Sequence, residues 1–455
     1  MPRTLRLFTV LVVCMVWAGT VHASEVSSAL VRAASLARSG SISAAVRILP
    51  KPEAVTIADV EPARRAASAI RKDRPDLALR LALRCAELDP EDRDALWLAG
   101  DIWRKHPEVD GFTPAQAARL PGKASLFETN SSTGVPRASI WTIAVNEPVA
   151  ATDSRSGTPL DRLTLVYVEQ NGVMRIRFQI RHDAATDADL AQRMGRIAGL
   201  VAEASDRLLK YTNRARYPVA VRLSRSGTAG AEQWANAITF GRVDVPRTPL
   251  EWARQMAHEW GHASLAGLTG YTEPEAWTNG DTGERVYLST LHDWGWLRDW
   301  DPSIDAKAYL DSRVLAPVRR WAQTGPVPAL VRSRGADGYE HAVGAALYVR
   351  AVYGPWILAR TLDRMRGNRL EGFLESLKAV LVETPNAVAM RPKDITGPVP
   401  ICIPTEGLHT LEGRNVRVNG RSVSRPVTLK AGWPRVDWQG EMKIRRMADG
   451  SRRVP

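Results

Sequence analysis

The stretch Glu251–Asp281, "EWARQMAHEWGHASLAGLTGYTEPEAWTNGD", decides how this 455-residue chain reads. It contains His258-Glu259-Trp260-Gly261-His262, two histidines four residues apart with a glutamate directly after the first. Just upstream, Thr248-Pro249-Leu250-Glu251 has the form of a capping box with proline at the first helical position, so a helix is predicted to begin there. On a helix that spacing puts both imidazoles on one face, with Cβ atoms about 5–6 Å apart, close enough to share one ion. Trp252, Met256 and Trp260 fall on roughly the opposite face and are candidates for core. Glu259 projects beside the ion, where it can deprotonate a zinc-bound water whose pKa has dropped to about 7.

A catalytic zinc needs a third protein ligand and an open fourth position. The metzincin continuation would place a glycine and then a histidine where this chain has Leu265 and Leu268, which excludes that class. The downstream carboxylates are Glu273, Glu275, Asp281 and Glu284, with His292 and Asp293 beyond them. Thr272-Glu273-Pro274-Glu275 reads as a second capping box, so a second helix is expected to start there and carry Glu275 inward. Asn279, one turn later, is placed to hydrogen-bond a ligating histidine.

Pro274-Glu275-Ala276-Trp277-Thr278-Asn279 is similar to the glutamate-helix motif of gluzincins, the thermolysin-like and aminopeptidase-N-like zinc peptidases. The resemblance covers roughly residues 230–370 and implies metal ligands His258, His262 and Glu275, with Glu259 as general base. The gap from His262 to Glu275 is shorter than the family usually shows, and Asn279 stands where thermolysin-like members have Asp, so Glu284 stays open as the third ligand. "WANAITFGRVD" precedes the helix as the substrate-binding edge strand does in gluzincins, which implies a peptide bound by strand addition. "GAEQW" (230–234) resembles the aminopeptidase signature but has Gln233 in place of the amine-binding glutamate, which disfavours exopeptidase cleavage. His341-Ala342-Val343-Gly344-Ala345 looks like the segment that carries the oxyanion-stabilising tyrosine, so the resemblance gives that role to His341.

The rest of the chain supplies context. Residues 1–23 carry Arg3 and Arg6, an apolar run from Leu7 to Trp17, and Val21-His22-Ala23 at a cleavage site, which reads as an export signal. Val13 stands before Cys14 where a lipoprotein signal has a small residue, so a soluble periplasmic or secreted protein without a membrane anchor is expected. The formal charge of +13, less those two arginines, is +11 for the processed chain. Its arginines are scattered and accompany no nucleic-acid motif, so a solvated basic surface is expected and no nucleic-acid partner. Cys85 and Cys402 remain, in separate expected domains, so at most one disulfide is available.

Residues 24–115 read as helices. Ala82, Ala86, Pro90, Leu96, Ala99, Gly100 and Trp103 fall at the spacing of a tetratricopeptide junction, a module that binds peptides or partner proteins. Strand patterns follow in "ASIWTIAV", "RLTLVYVEQ" and "VMRIRFQIR", then a long helix from Asp187, more strands, and the motif. The expected fold is α+β: an all-α tetratricopeptide-like module (24–115), a zincin-like domain with a mixed sheet and helices (120–392), and a small β-rich appendage (393–455). Trp294, Trp296 and Trp300 read as a core cluster, with sugar stacking as the alternative. The expected function is a zinc-dependent endopeptidase acting on peptides or proteins. The alternatives are a tetratricopeptide scaffold with a structural metal and a zinc amidase acting on peptidoglycan peptides.

Overall fold

The computed structural model describes residues 25–447, apart from 121, 131–133, 136, 146–156, 158, 211–213, 366–368, 385–386, 393–394 and 424–425. The expected export signal lies outside the described residues. Among them, no helix is long and apolar enough to cross a membrane. The chain is mixed α/β and divides into two compact units: residues to Phe127 with Ser139–Thr152 and Pro159–Ala184, and the remainder.

The first unit opens with helices α1 (25–38), α2 (Ile42–Ile48), α3 (Val60–Ile70), α4 (Pro75–Leu88), α5 (Arg93–Lys105) and the single turn α6 (Pro114–Ala117). Pro75 stands at the first position of α4, and the Asp92 carboxylate caps α5 by accepting from the Ala95 N–H at 3.0 Å. Ala63, Ala66 and Ala67 of α3, Ala78, Ala82 and Ala86 of α4, and Ala99 of α5 are buried, so these helices approach closely through small side chains. Strand β1 (Lys123–Glu128) follows and lies beside β2 (Ser139–Ala144); β2, β3 (Arg162–Gln170) and β4 (Val173–His182) pair antiparallel in sequence order. Asn171 and Gly172 both have positive φ (54° and 74°), the conformation a tight β3–β4 hairpin turn requires.

Helices and strands here share one core. Tyr167 of β3 packs against Phe112 with the rings tilted (5.0 Å between centroids) and donates its hydroxyl to the Val109 carbonyl at 2.9 Å, while Leu165 and Met174 join the helical cluster. The sequence placed a domain boundary at 115–120. The packing runs through it, because the apolar inner face of β3 and β4 needs the helices as its cover.

The second unit begins with α7 (Ala188–Leu209), capped by Asp187 as its sequence suggests. Strands β5 (Val219–Leu223), β6 (Gly230–Trp234) and β7 (Ala237–Gly241) follow. Strand β7 lies between β5, to which it is parallel, and β6, to which it is antiparallel, so this sheet is mixed. Then come α8 (Pro249–Ser264), α9 (Asn279–Asp293), α10 (Trp296–Trp300), α11 (Lys307–Leu310), a π turn (Asp311–Leu315), α12 (Ala316–Thr324), α13 (Pro328–Arg332), α14 (Ala336–Tyr353), α15 (Pro355–Arg364) and α16 (Leu370–Val382).

The C-terminal strands are built around the long antiparallel pair β8 (Gly407–Val418) and β9 (Arg435–Arg446). They belong to the same compact unit as the helices. The Tyr348 hydroxyl of α14 donates to the Pro400 carbonyl, and the Cys402 N–H donates to the Tyr353 hydroxyl, each at 2.9 Å. Cys85 and Cys402 are both buried and free. In the tryptophan cluster Trp296 is fully buried, and Arg207 lies over Trp294 and Trp296 while Arg193 lies over Trp300. Those contacts support the packing reading.

Candidate metal centre

The site is built on the crossing of α8 and α9. The α8 N-terminus is closed reciprocally: Glu251 accepts from the Thr248 N–H at 2.7 Å, and the Thr248 hydroxyl accepts from the Glu251 N–H at 3.2 Å. Trp252, Met256 and Trp260 are buried, which fixes the rotation of the helix and leaves His258 and His262 half-buried on the other face. Their ring centroids are 5.0 Å apart. Gly261 and Gly283 let the two helices touch backbone to backbone, since a methyl on Gly283 would overlap the Gly261 Cα and one on Gly261 would overlap the Asn279 carbonyl. That contact brings the first turn of α9 against the imidazoles.

Each imidazole is oriented through its Nδ1. Asn279 turns its Oδ1 to His262 Nδ1 at 2.9 Å, and its Nδ2 donates to the carbonyls of His262 (3.3 Å) and Leu265 (3.4 Å). With the amide so fixed, His262 Nδ1 donates to Asn279 and Nε2 is the nitrogen turned to the cleft. His258 Nδ1 lies 3.3 Å from Glu284 Oε2. The other oxygen of Glu284 accepts from Arg254 Nε at 2.8 Å and from the Tyr309 hydroxyl at 2.9 Å. Glu284 therefore orients His258 from behind.

The Nε2 atoms converge on Glu275, which is 2.9 Å from His258 and 3.4 Å from His262. One ligand atom from each of the three lies within 4.8 Å of the others, an arrangement able to hold a metal ion. A methyl at position 280 would overlap both Nε2 atoms, so Gly280 leaves open the pocket between the imidazoles. Glu259 is buried and lines both of the cavities that meet here, of about 390 and 540 Å³.

The charges interlock. Burial pushes the Glu275 carboxyl up, but hydrogen bonds from His258 and His262 outweigh it and hold the pKa at about 2. Burial likewise opposes charge on His258, yet bonds to Glu275 and Glu284 raise it to about 10. Glu259 is raised, foremost by burial, with the two histidines pulling the other way. A buried carboxyl held up in this way beside a cationic cluster can both take and return a proton.

Several expectations are corrected. Glu275 sits on a loop, and α9 starts at Asn279 with Thr278 as its cap residue. At Thr248 the residue before proline is the cap, already extended at φ −68°, ψ 155°. At Thr272 the residue before proline would be Glu273, which would have to be helical, and a following proline disfavours that conformation. The loop is pinned instead by the Thr272 N–H to the Arg334 carbonyl (2.8 Å) and the Thr278 N–H to the Leu268 carbonyl (3.0 Å).

The edge strand is also different. Strand β7 is interior to its sheet, and β6, the "GAEQW" segment, is the outermost and faces the site: Ala231, Glu232, Gln233 and Trp234 line the larger cavity. Gln233 donates its amide to the Ala235 carbonyl.

His341 is not brought to the cleft. It is buried against Trp321, 4.4 Å between rings, and its Nε2 has no hydrogen-bond partner. Its H-A-V-G-A setting is a packing motif, with Gly344 facing the Pro317 carbonyl of α12. Residues the sequence did not single out are Arg254, Gly280, Tyr309 and Arg313. Arg254 lies one turn before His258, a position from which a helical side chain reaches the same cleft. The π turn that delivers Arg313 carries no comparable signal.

No protein-family model matches this chain, and no curated protein matches it.

Proposed function

We propose that this chain is a zinc-dependent peptidase of gluzincin type. The observation that carries the reading is the convergence of His258 Nε2, His262 Nε2 and the Glu275 carboxylate, with Glu259 beside them where two cavities meet. The donor set fits zinc: two neutral-capable imidazoles, each oriented through Nδ1, and one carboxylate, with the Gly280 gap between the nitrogens. Zinc bound there would supply Lewis acidity to a scissile carbonyl and acidity to a nearby water. Glu259 takes the proton from the attacking water and returns it to the leaving amine. Strand β6, with one side paired to β7, offers its other side to an extended peptide, which would bind by strand addition.

The fine architecture is part of the same proposal. A zincin-like body holds the site, and the α3–α5 helices form a tetratricopeptide-like module for recruiting substrate or partner. Burial of Ala82, Ala86, Ala99 and Trp103 supports that module. A scaffold with a merely structural metal has no use for a general base in an open cleft, and Glu259 lies in one.

The test is metal content together with hydrolysis. Purified protein should hold about one zinc per chain, and His258→Ala or His262→Ala should remove most of it. Glu259→Gln should keep zinc and melting temperature but lower cleavage of a mixed peptide library by about 10²-fold or more. Zinc-loaded wild type that cuts nothing beyond a chelated blank would overturn the peptidase reading.

A further inference from the structure

The two cavities that meet at Glu259 differ in chemistry. Both include Ala231 of β6, His258 and Glu275. The smaller adds Arg254 and Arg313 together with the carboxylates Glu251, Asp281 and Glu284. Each guanidinium is held along part of its edge by a buried carboxylate: Arg254 by Glu284 at 2.8 Å, Arg313 by Asp281 at 3.4 Å. Their side chains are 39% and 40% exposed at the cleft wall, with Arg313 Nε buried and its Nη1 also 3.8 Å from Glu340. A guanidinium fixed this way loses little freedom on meeting a second carboxylate and can bind it through paired charge-assisted bonds. The larger cavity instead adds two tryptophans, Trp234 at the end of β6 and Trp277 on the Glu275 loop. They are 79% and 51% exposed, in a chain whose other large aromatics are mostly core. A bare indole face beside a polar centre is a stacking platform.

We infer that the cleft selects peptides carrying a carboxylate on one side of the scissile bond and a flat apolar residue on the other. The carboxylate, an acidic side chain or the chain terminus, is bound by Arg254 and Arg313; the apolar residue, aromatic or proline, stacks between Trp234 and Trp277. This deepens the peptidase reading and rests on it. The edge strand favours a peptide over a glycan, because β6 leads from Ala231, which lines both cavities, to Trp234 in the larger and offers a row of backbone groups for a peptide backbone to pair with.

Equilibrium binding of labelled peptides to zinc-loaded Glu259→Gln protein tests the inference without turnover. A peptide with Glu and Phe flanking the central bond should bind at least tenfold tighter than one with Lys for Glu or Ala for Phe. Arg313→Gln should erase the preference for Glu over Lys and leave that for Phe over Ala; Trp234→Ala should do the reverse. Equal affinity for all three peptides, or preferences unmoved by these substitutions, would overturn it, as would tryptophan-dependent binding of chitooligosaccharides in place of the peptides. Unselective binding with hydrolysis in wild type sinks this inference alone. Selective binding with no hydrolysis in wild type sinks the peptidase reading and keeps the cleft assignment.

Discussion

Two helix pairs in the second unit each hold a histidine motif, and they treat it in opposite ways. At the α8–α9 crossing, His258 and His262 have Nδ1 engaged by Glu284 and Asn279 and Nε2 turned to an open cleft. At the α12–α14 pair, His341 packs against Trp321 with the rings tilted by 39°, and its Nε2 is buried and unpartnered. The residue type is the same, and so is the small residue three positions on, Gly261 after His258 and Gly344 after His341. What differs is the partner on the second nitrogen and the way out for the first. A histidine becomes a ligand when the fold both fixes its tautomer and exposes its lone pair.

The strongest way to break the comparison is to remove the two glutamates in turn. Glu275→Ala removes the proposed third ligand, so zinc affinity should fall by more than about 10²-fold. The metal-free protein should melt somewhat lower, because both imidazoles lose the carboxylate they bond. Glu284→Ala should cost about 10–100-fold in affinity, because His258 loses its orienting partner. It should also lower the melting temperature of the metal-free protein, since Arg254 and the Tyr309 hydroxyl lose a buried carboxylate. Titration with a chromophoric chelator and calorimetry read the two effects. If Glu284→Ala loses more zinc than Glu275→Ala, the inner and outer roles must be exchanged.

These roles mark how far the sequence could be read. The α8 cap, the shared face of the two imidazoles, the buried Trp252, Met256 and Trp260, and Asn279 behind His262 all follow from periodicity and capping, which are local. The loop carrying Glu275 is not legible in the sequence, because a capping pattern does not say which helical position its proline will take. Edge strand β6 was misassigned because strand order in a sheet is not written in any one strand. Arg313 was invisible for a similar reason: a π turn in a later segment delivers it, and only tertiary packing brings it to the cleft. Composition changes at 115–120, while the apolar cluster runs on from the helices into β3 and β4.

A smaller perturbation sharpens the metal side of the comparison. Gly280→Ala adds one methyl against both Nε2 atoms, whose rings cannot swing away without breaking their bonds to Asn279 and Glu284. The position is in the first turn of α9, where alanine suits the helix better than glycine, so folding should survive. Zinc affinity should nonetheless drop by about tenfold or more. Undiminished affinity would mean that the imidazoles are not fixed as described.

At neutral pH the mildest substitution is on the other side, at His341. Leucine there fills a similar volume and removes the buried, unpartnered nitrogen, so stability at pH 7 should be unchanged or higher by about 1 kcal/mol. Burial, and secondarily the Arg320 charge, hold the folded pKa of His341 down at about 4, against an ordinary 6.5. Above 6.5 both folded and unfolded chains are neutral at this site and its contribution to stability is fully present. As the pH falls, the unfolded chain takes up a proton that the folded chain refuses until about 4, so that contribution is lost across this window. Wild type should therefore lose about 2 kcal/mol more than His341→Leu between pH 7 and pH 5, read by denaturant unfolding at each pH. Zinc content should be the same in both. Parallel losses in the two proteins would show that His341 titrates normally and is not buried as described, and a 10²-fold fall in peptide hydrolysis in the variant would return it to the oxyanion role the sequence suggested.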